Sequence, residues 1–181
     1  AHTVPAEKVL REELATQLDT DLYQHQADGL DALANDENIV VTTSTSSGKT
    51  RIYALQMARN QLDNPDATAL CIYPMKALTR DQETTLNNRL REWEIDASVE
   101  VYDGDTKNDR KPSIRRGADT ILTNPAGLNV YLPRHGTDSG WPRFYDNLEL
   151  IVVDEAHQYS GIMGTHVAWI LRRLRRLLSY Y

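Results

Sequence analysis

Five short apolar runs limit what this chain can fold into. They are Asn38–Thr43 (NIVVTT), Ala69–Tyr73 (ALCIY), Ser98–Tyr102 (SVEVY), Thr120–Thr123 (TILT) and Leu148–Asp154 (LELIVVD). Most are β-branched and continuous. A strand with one face in water alternates apolar and polar residues; a strand covered on both faces does not. Between most of the runs, apolar residues recur at helical spacing, over Arg51–Leu62 and Ala77–Trp93. Strand alternating with helix implies an α/β fold, a mostly parallel central sheet with helices on both faces. Two helices are expected before the first run, over Ala6–Leu18 and Gln24–Ala34. A long one is expected after the last. There Val167, Ile170, Leu171, Leu174, Leu177 and Leu178 share one face of THVAWILRRLRRLL, and arginines line the other. Asp103–Pro112 and Leu132–Pro142 read as long loops.

Composition narrows the class. A chain of 181 residues fits one domain, and 40% hydrophobic with 25% charged residues fits a soluble globular one. No apolar run approaches the roughly 20 residues of a membrane span. No cationic start leads into an apolar segment, so no secretory signal is read and a cytoplasmic setting is expected. The single cysteine, Cys71, rules out an internal disulfide and reads as a buried, inert thiol. A net charge of −6 does not advertise a nucleic-acid binder. Basic residues nevertheless cluster at Lys107–Arg116 and Arg172–Arg176, and local patches matter more than the total. The second cluster reads as a solvated helix face, a docking face or a DNA contact. Asp outnumbers Glu and Arg outnumbers Lys, a balance common in salt-loving organisms and equally reached by drift.

The stretch TTSTSSGKT, Thr42–Thr50, follows the first apolar run and precedes a helix. A loop ending in Gly-Lys-Thr can cradle phosphates. Its backbone N–H groups turn inward, the helix presents its positive end, the lysine reaches the terminal phosphates and the hydroxyl takes Mg²⁺. Gly48, Lys49 and Thr50 fill those places. Thr43 stands where a glycine is usual, which argues against a GTPase-like or kinase-like loop. On this segment alone a Ser/Thr-rich turn remains the alternative.

The run LELIVVDEAH answers part of that question. It puts Asp154 at the carboxyl end of a strand, the edge where open α/β sheets bind ligands. An aspartate there can hold Mg²⁺ opposite Thr50, and Glu155 can orient and deprotonate an attacking water. Asp-Glu alone is a common surface dipeptide. Ending an apolar strand downstream of such a loop, it reads as nucleotide hydrolysis.

With both segments in place, the chain resembles the first RecA-like, P-loop domain of a superfamily 2 helicase of the DEAH/DExH type. The resemblance covers nearly the whole chain. LYQHQ is similar to the adenine-reading Q motif, TSTSSGKT to motif I, YPMKALTRDQ to motif Ia, TNPAGL to motif Ib and DEAH to motif II. VYDGDT and the run from DEAHQYSG to RRLRRL are similar to one branch, that of the RecQ-four-like fungal helicase and the bacterial mitomycin repair helicase. The branch implies a 3′-to-5′ DNA helicase or translocase in repair, with a zinc-binding domain beyond this region.

The resemblance carries roles onto particular residues. Tyr23 and Gln26 would meet the adenine, and Thr45, Ser46, Ser47, Gly48, Lys49 and Thr50 the phosphates of ATP. Mg²⁺ would sit on Thr50 and Asp154. Lys49, Asp154 and Glu155 would serve hydrolysis, and His157 would couple it to movement. Lys76, Thr79, Arg80, Gly104, Thr123, Asn124 and Pro125 would meet single-stranded or partly duplex DNA. Bland readings stand beside these. Gln26 could be a solvated helix start, Lys76 and Arg80 a solvated basic face, and Asn124-Pro125 is well formed as a helix cap and first turn. His25 reads as structural.

Residues 1–181 are expected to form one RecA-like domain, with Q-motif helices over 1–35 and the core over 36–181. The second RecA-like domain, the expected partner, is not in this stretch, so the isolated chain should bind nucleotide weakly and hydrolyse it poorly. An RNA helicase, a restriction or remodelling translocase, and a nucleotide-regulated binding module that never hydrolyses are the alternatives.

Overall fold

The computed structural model describes residues 2–42 and 48–181. Two compact units divide them: residues up to 65 with 88–96, and residues 66–87 with 97–181.

In the first unit, β1 (Thr3–Val4), α1 (Glu12–Ala15), β2 (Leu22–Tyr23), α2 (Gln24–Ala34) and α3 (Lys49–Asp63) follow in order. β1 and β2 form a minimal antiparallel pair, Thr3 opposite Tyr23 and Val4 opposite Leu22. α2 spans the expected residues and packs on α3, with Leu30 and Leu55 fully buried.

Two expectations fail in this unit. The helix over Ala6–Leu18 is broken into a 3-10 turn (Ala6–Lys8) and the single turn of α1, with Arg11 extended between them. A continuous helix would need the Val9 carbonyl for its own ladder. Instead the Arg59 guanidinium on α3 donates to Val9 O at 2.7 Å and to Leu30 O at 3.2 Å. The run expected as a strand over Asn38–Thr43 is not one over its described residues 38–42, Thr43 lying outside them, and Val40 is 89% exposed. A strand exists only where a ladder partner exists, and the pair in this unit is β1 with β2.

α4 (Lys76–Glu92) gives its first turns to the second unit and its last to the first. The second unit realises the other four apolar runs as β3 (Thr68–Ile72), β4 (Val99–Val101), β5 (Thr120–Thr123) and β6 (Leu148–Val153). Their order is β4-β5-β3-β6, and every pairing is parallel. The sheet is therefore the α/β sheet expected, with four strands described rather than five. The inner strands β3 and β5 are buried along their whole length, as continuous apolar runs require. β6 lies at the edge, and its Ile151 is 39% exposed.

α5 (Lys111–Gly117), α6 (Pro125–Tyr131), α7 (Trp141–Asp146) and α8 (Gly161–Leu178) complete this unit. Its core gathers Leu70, Ile72, Tyr102, Ile121, Trp141 and Phe144. α8 buries Val167, Ile170 and Leu174, the expected face. Leu132–Pro142 is less of a loop than its composition implies. The buried Arg115 donates to Ser139 O at 3.0 Å and to the Tyr102 hydroxyl at 2.8 Å, and it pairs with Asp138 at 3.7 Å. Gly140 follows with φ 98, where a Cβ would stand 2.7 Å from the Arg115 backbone, and α7 begins at once.

Candidate functional site

The first unit gathers the Q-motif residues at the start of α2. Tyr23 is extended and caps the helix. Gln26, three residues on, turns back: its Oε1 accepts the Tyr23 N–H at 3.0 Å. Its Nε2 donates to the Gly48 carbonyl at 3.1 Å, and the side chain is only 1% exposed. A solvated helix start is thereby excluded for Gln26. Its amide joins the Q-motif turn to the turn that opens α3.

Gly48 is left-handed (φ 75), and a Cβ there would lie 2.7 Å from the Gln26 Nε2. Backbone angle and space both demand glycine at this point. Lys49 and Thr50 then begin α3, and the Tyr53 hydroxyl donates to Thr50 Oγ1 at 3.3 Å. Thr45, Ser46 and Ser47 fall outside the described residues.

Beside these groups lies a cavity of about 600 Å³, lined among others by Tyr23, Gln26, Gly48, Arg51, Arg89 and Trp93. Tyr23 is 44% exposed and stacks on His25, the rings 5.9 Å apart and 12° from parallel. Arg51 secures the chain leading into the Q motif, donating to Thr20 Oγ1 at 3.0 Å, Thr20 O at 2.7 Å and Asp21 O at 3.2 Å. Burial, and then the charge of Arg89, push its pKa down. Arg51, Arg89 and Trp93 were not read as site residues in the sequence. Arg51 follows motif I directly and could have been suspected; Arg89 and Trp93 sit far along the chain and carry no such signal.

In the second unit all four strands are parallel, so their carboxyl ends share one edge. At the end of β6 the Asp154 N–H donates to Ile72 O at 3.0 Å, continuing the ladder one step beyond the strand. Asp154 Oδ1 then accepts the Glu155 N–H at 2.8 Å. Glu155 is left-handed (φ 51, ψ 38), a conformation that costs a side-chain-bearing residue roughly 1–3 kcal/mol. The kink sends the chain away from the sheet into a 3-10 turn, Ala156–Gln158. Glu155 Oε2 meets His157 Nδ1 at 3.3 Å. Burial and the Asp154 charge push the Tyr159 phenol up to about 12. Among the described residues, no cluster of three or more His, Cys, Asp or Glu side chains could hold a metal on its own. No described helix is long and apolar enough to cross a membrane.

The exits of β3, β4 and β5 carry the nucleic-acid candidates, and they divide into two sets. Lys76, Arg80 and Gly104 are exposed. Lys76 Nζ is paired with Asp105 Oδ1 at 2.8 Å. Thr79 and Thr123 are buried and committed elsewhere, donating to Met75 O at 3.0 Å and Tyr102 O at 2.8 Å. Asn124 Oδ1 caps α6 by accepting the Gly127 N–H at 2.8 Å, and Pro125 is buried in its first turn. Those four side chains build the edge; the first three stand open on it.

The basic clusters are partly engaged within the fold. Arg110 pairs with Glu100 at 2.9 Å, and Arg115 is buried. In the second cluster Arg172 lies over the Trp169 ring at 5.3 Å, and Arg173 donates to Asn129 at 2.7 Å.

The order of motifs along the chain and the parallel sheet with DEAH at its carboxyl edge define a class. Residues 23–180 match the DEAD/DEAH box helicase family, and the chain belongs to it. The ATP-dependent helicase hrq1 of Schizosaccharomyces pombe is 41% identical over 162 residues, 88% of this chain and 15% of that protein. The uncharacterized ATP-dependent helicase YprA of Bacillus subtilis is 37% identical over 162 residues, 89% of this chain and 21% of that protein. The crystal structure of the DUF1998 helicase MrfA bound to DNA and AMPPNP has a TM-score of 0.92 at 35% identity, covering 100% of this chain and 26% of that one. These relatives fall in the branch that the motifs indicated, and the chain spans about a quarter of their length or less.

Proposed function

We propose that residues 1–181 are one RecA-like domain, the ATP-binding half of a DNA helicase or translocase motor. The reading includes 3′-to-5′ movement, a role in DNA repair, a cytoplasmic setting and a second RecA-like domain as partner. The observation that carries it is the DEAH turn at the carboxyl edge of a parallel sheet, beside the exposed Lys76, Arg80 and Gly104 on the exits of β3 and β4. DNA is favoured over RNA because the relatives named DNA-bound lie at high structural similarity.

In this reading the adenine enters the cavity beside Tyr23 and Gln26, and the α3 start with Gly48, Lys49 and Thr50 takes the phosphates. The positive end of a helix start favours an anion there. The Thr50 hydroxyl and the Asp154 carboxylate are hard oxygen donors, the kind Mg²⁺ prefers. Mg²⁺, when bound, neutralises charge on the phosphates. Glu155 takes a proton from the attacking water, and His157, already against its carboxylate, communicates with the second RecA-like domain.

Glu155→Gln in the full-length protein tests this. Loss of DNA-stimulated turnover with retained ATP binding is expected. Wild-type binding of ATP without any turnover would favour a nucleotide-regulated binding module instead. Stimulation by RNA rather than DNA would move the reading to an RNA helicase.

A further inference from the structure

Lys76 stands exposed at the exit of β3, yet its ammonium already faces a carboxylate. Lys76 Nζ and Asp105 Oδ1 are 2.8 Å apart, with side chains 49% and 54% exposed. An ion pair this exposed contributes little to stability. Its geometry is nevertheless built with care. The buried Asp103 uses Oδ1 to accept the N–H of Asp105 at 2.8 Å and of Thr106 at 3.1 Å. Thr106 Oγ1 closes the turn by donating to Val101 O at 3.2 Å, and the Asp103 N–H donates to it at 2.9 Å. Asp105 is therefore presented by a braced turn at the end of β4. Gly104 stands at the tip, and a Cβ there would be in ordinary contact with the Lys76 ammonium, 4.0 Å from Nζ. The first turn of α4 holds no acid of its own, so the carboxylate beside Lys76 comes from this turn. The hydrogen bond and charge of Lys76 hold the Asp105 carboxyl below its ordinary range, so it is an anion at neutral pH.

We propose that Asp105 sets the strength of nucleic-acid binding at this edge by occupying Lys76 where a backbone phosphate would otherwise sit. The proposal rests on the reading of Lys76 as a strand contact. A phosphate approaching Lys76 must displace the carboxylate or share the ammonium with it, and either way one counterion-releasing contact is weakened. A motor that steps along a strand must release each phosphate it grips. An internal competitor on a braced turn lowers the grip at one point without removing the lysine.

The test measures binding of the full-length protein to a fluorescent oligo(dT) across a salt series, for wild type, D105N, K76A and the double variant. D105N keeps the shape and removes the charge. It should bind about threefold tighter at moderate salt, with a slope of log K against log salt steeper by about 0.7, one further phosphate on a single strand. K76A should bind more weakly, and D105N should add nothing in the K76A background. If K76A leaves binding unchanged, the strand reading of Lys76 fails, and this proposal fails with it. If K76A weakens binding while D105N does not strengthen it, the strand reading survives and the proposal alone is overturned. A D105N gain that persists beside K76A also overturns it, since Asp105 would then act by diffuse repulsion. Thermal melts of each variant separate these outcomes from misfolding.

Discussion

The cavity at the start of α2 and the sheet edge at the ends of β3 to β6 hold their candidate residues by different means. Around the cavity, side chains hold the backbone of neighbouring segments. Gln26 joins the Tyr23 N–H to the Gly48 carbonyl, and Arg51 ties down Thr20 and Asp21. At the sheet edge, backbone does the placing. Parallel register brings four strand ends to one line, and Asp154 continues the ladder before the chain kinks at Glu155. A side-chain network fails when one member is removed. A strand end placed by backbone pairing, as at Asp154 and Glu155, keeps its shape and loses only the chemistry of the altered residue.

The largest expected effect follows from that contrast. Glu155→Gln should lower ATP turnover by about 10²–10⁴-fold, the range for losing a general base, with the fold intact. Turnover assays beside a thermal melt check it. A large loss of stability would mean that the edge, too, depends on its side chains.

On the cavity side, Gln26→Ala should cost roughly 1–3 kcal/mol, because it leaves the Tyr23 N–H without its partner and takes from the Gly48 carbonyl one of its two donors, the Arg51 N–H being the other. Denaturant unfolding measures the stability, and nucleotide titration should show ATP binding weakened along with it. Gly48→Ala should act in the same direction through its left-handed backbone and the 2.7 Å approach to Gln26. Gly104→Ala, with its nearest neighbour at 4.0 Å, should be close to neutral. Equal effects at the two glycines would break the comparison.

Asn124→Ala removes the cap of α6 and should cost about 1 kcal/mol, read from the same unfolding curves. The smallest effect at ordinary pH concerns the buried tyrosines of the sheet unit. Burial raises the pKa of Tyr131 and Tyr145, and that of Tyr159 to about 12. In the unfolded chain a tyrosine ionises near 10. Below that pH both states keep the proton and stability is unaffected. Above it the unfolded state binds fewer protons, so stability falls as pH rises towards the folded values. From these tyrosines a fall in melting temperature above about pH 10 is expected.

Legibility also divides between the two regions. β3 and β5 were readable because a strand buried on both faces writes itself as a continuous apolar run; β6 carries the same kind of run at the sheet edge, where only Leu150 is buried. α2 buries one face, with Gln26, Ala27, Gly29 and Leu30, whereas α3 is buried on all sides from Ile52 through Ala58. The run at Asn38–Thr42 has the same composition as the true strands, but composition cannot supply a ladder partner. The helix expected over Ala6–Leu18 had the right spacing, and its break depends on Arg59, some 50 residues on. Among the candidate residues, Thr79, Thr123, Asn124 and Pro125 were singled out by resemblance. The Thr79 and Asn124 side chains bond backbone groups three or four residues away, as short polar side chains at helix starts do, Thr123 bonds Tyr102 O and Pro125 is buried.

The order of residue types along the chain was enough to establish the family, the parallel α/β sheet and the Gly-Lys-Thr and Asp-Glu pairs, because periodicity and motif spacing are local properties. Which polar groups meet was settled by the fold. Gln26 on Gly48, Asp105 on Lys76 and Arg115 on Ser139 are contacts between segments distant in sequence, and such contacts exist only once the backbone has brought their ends together.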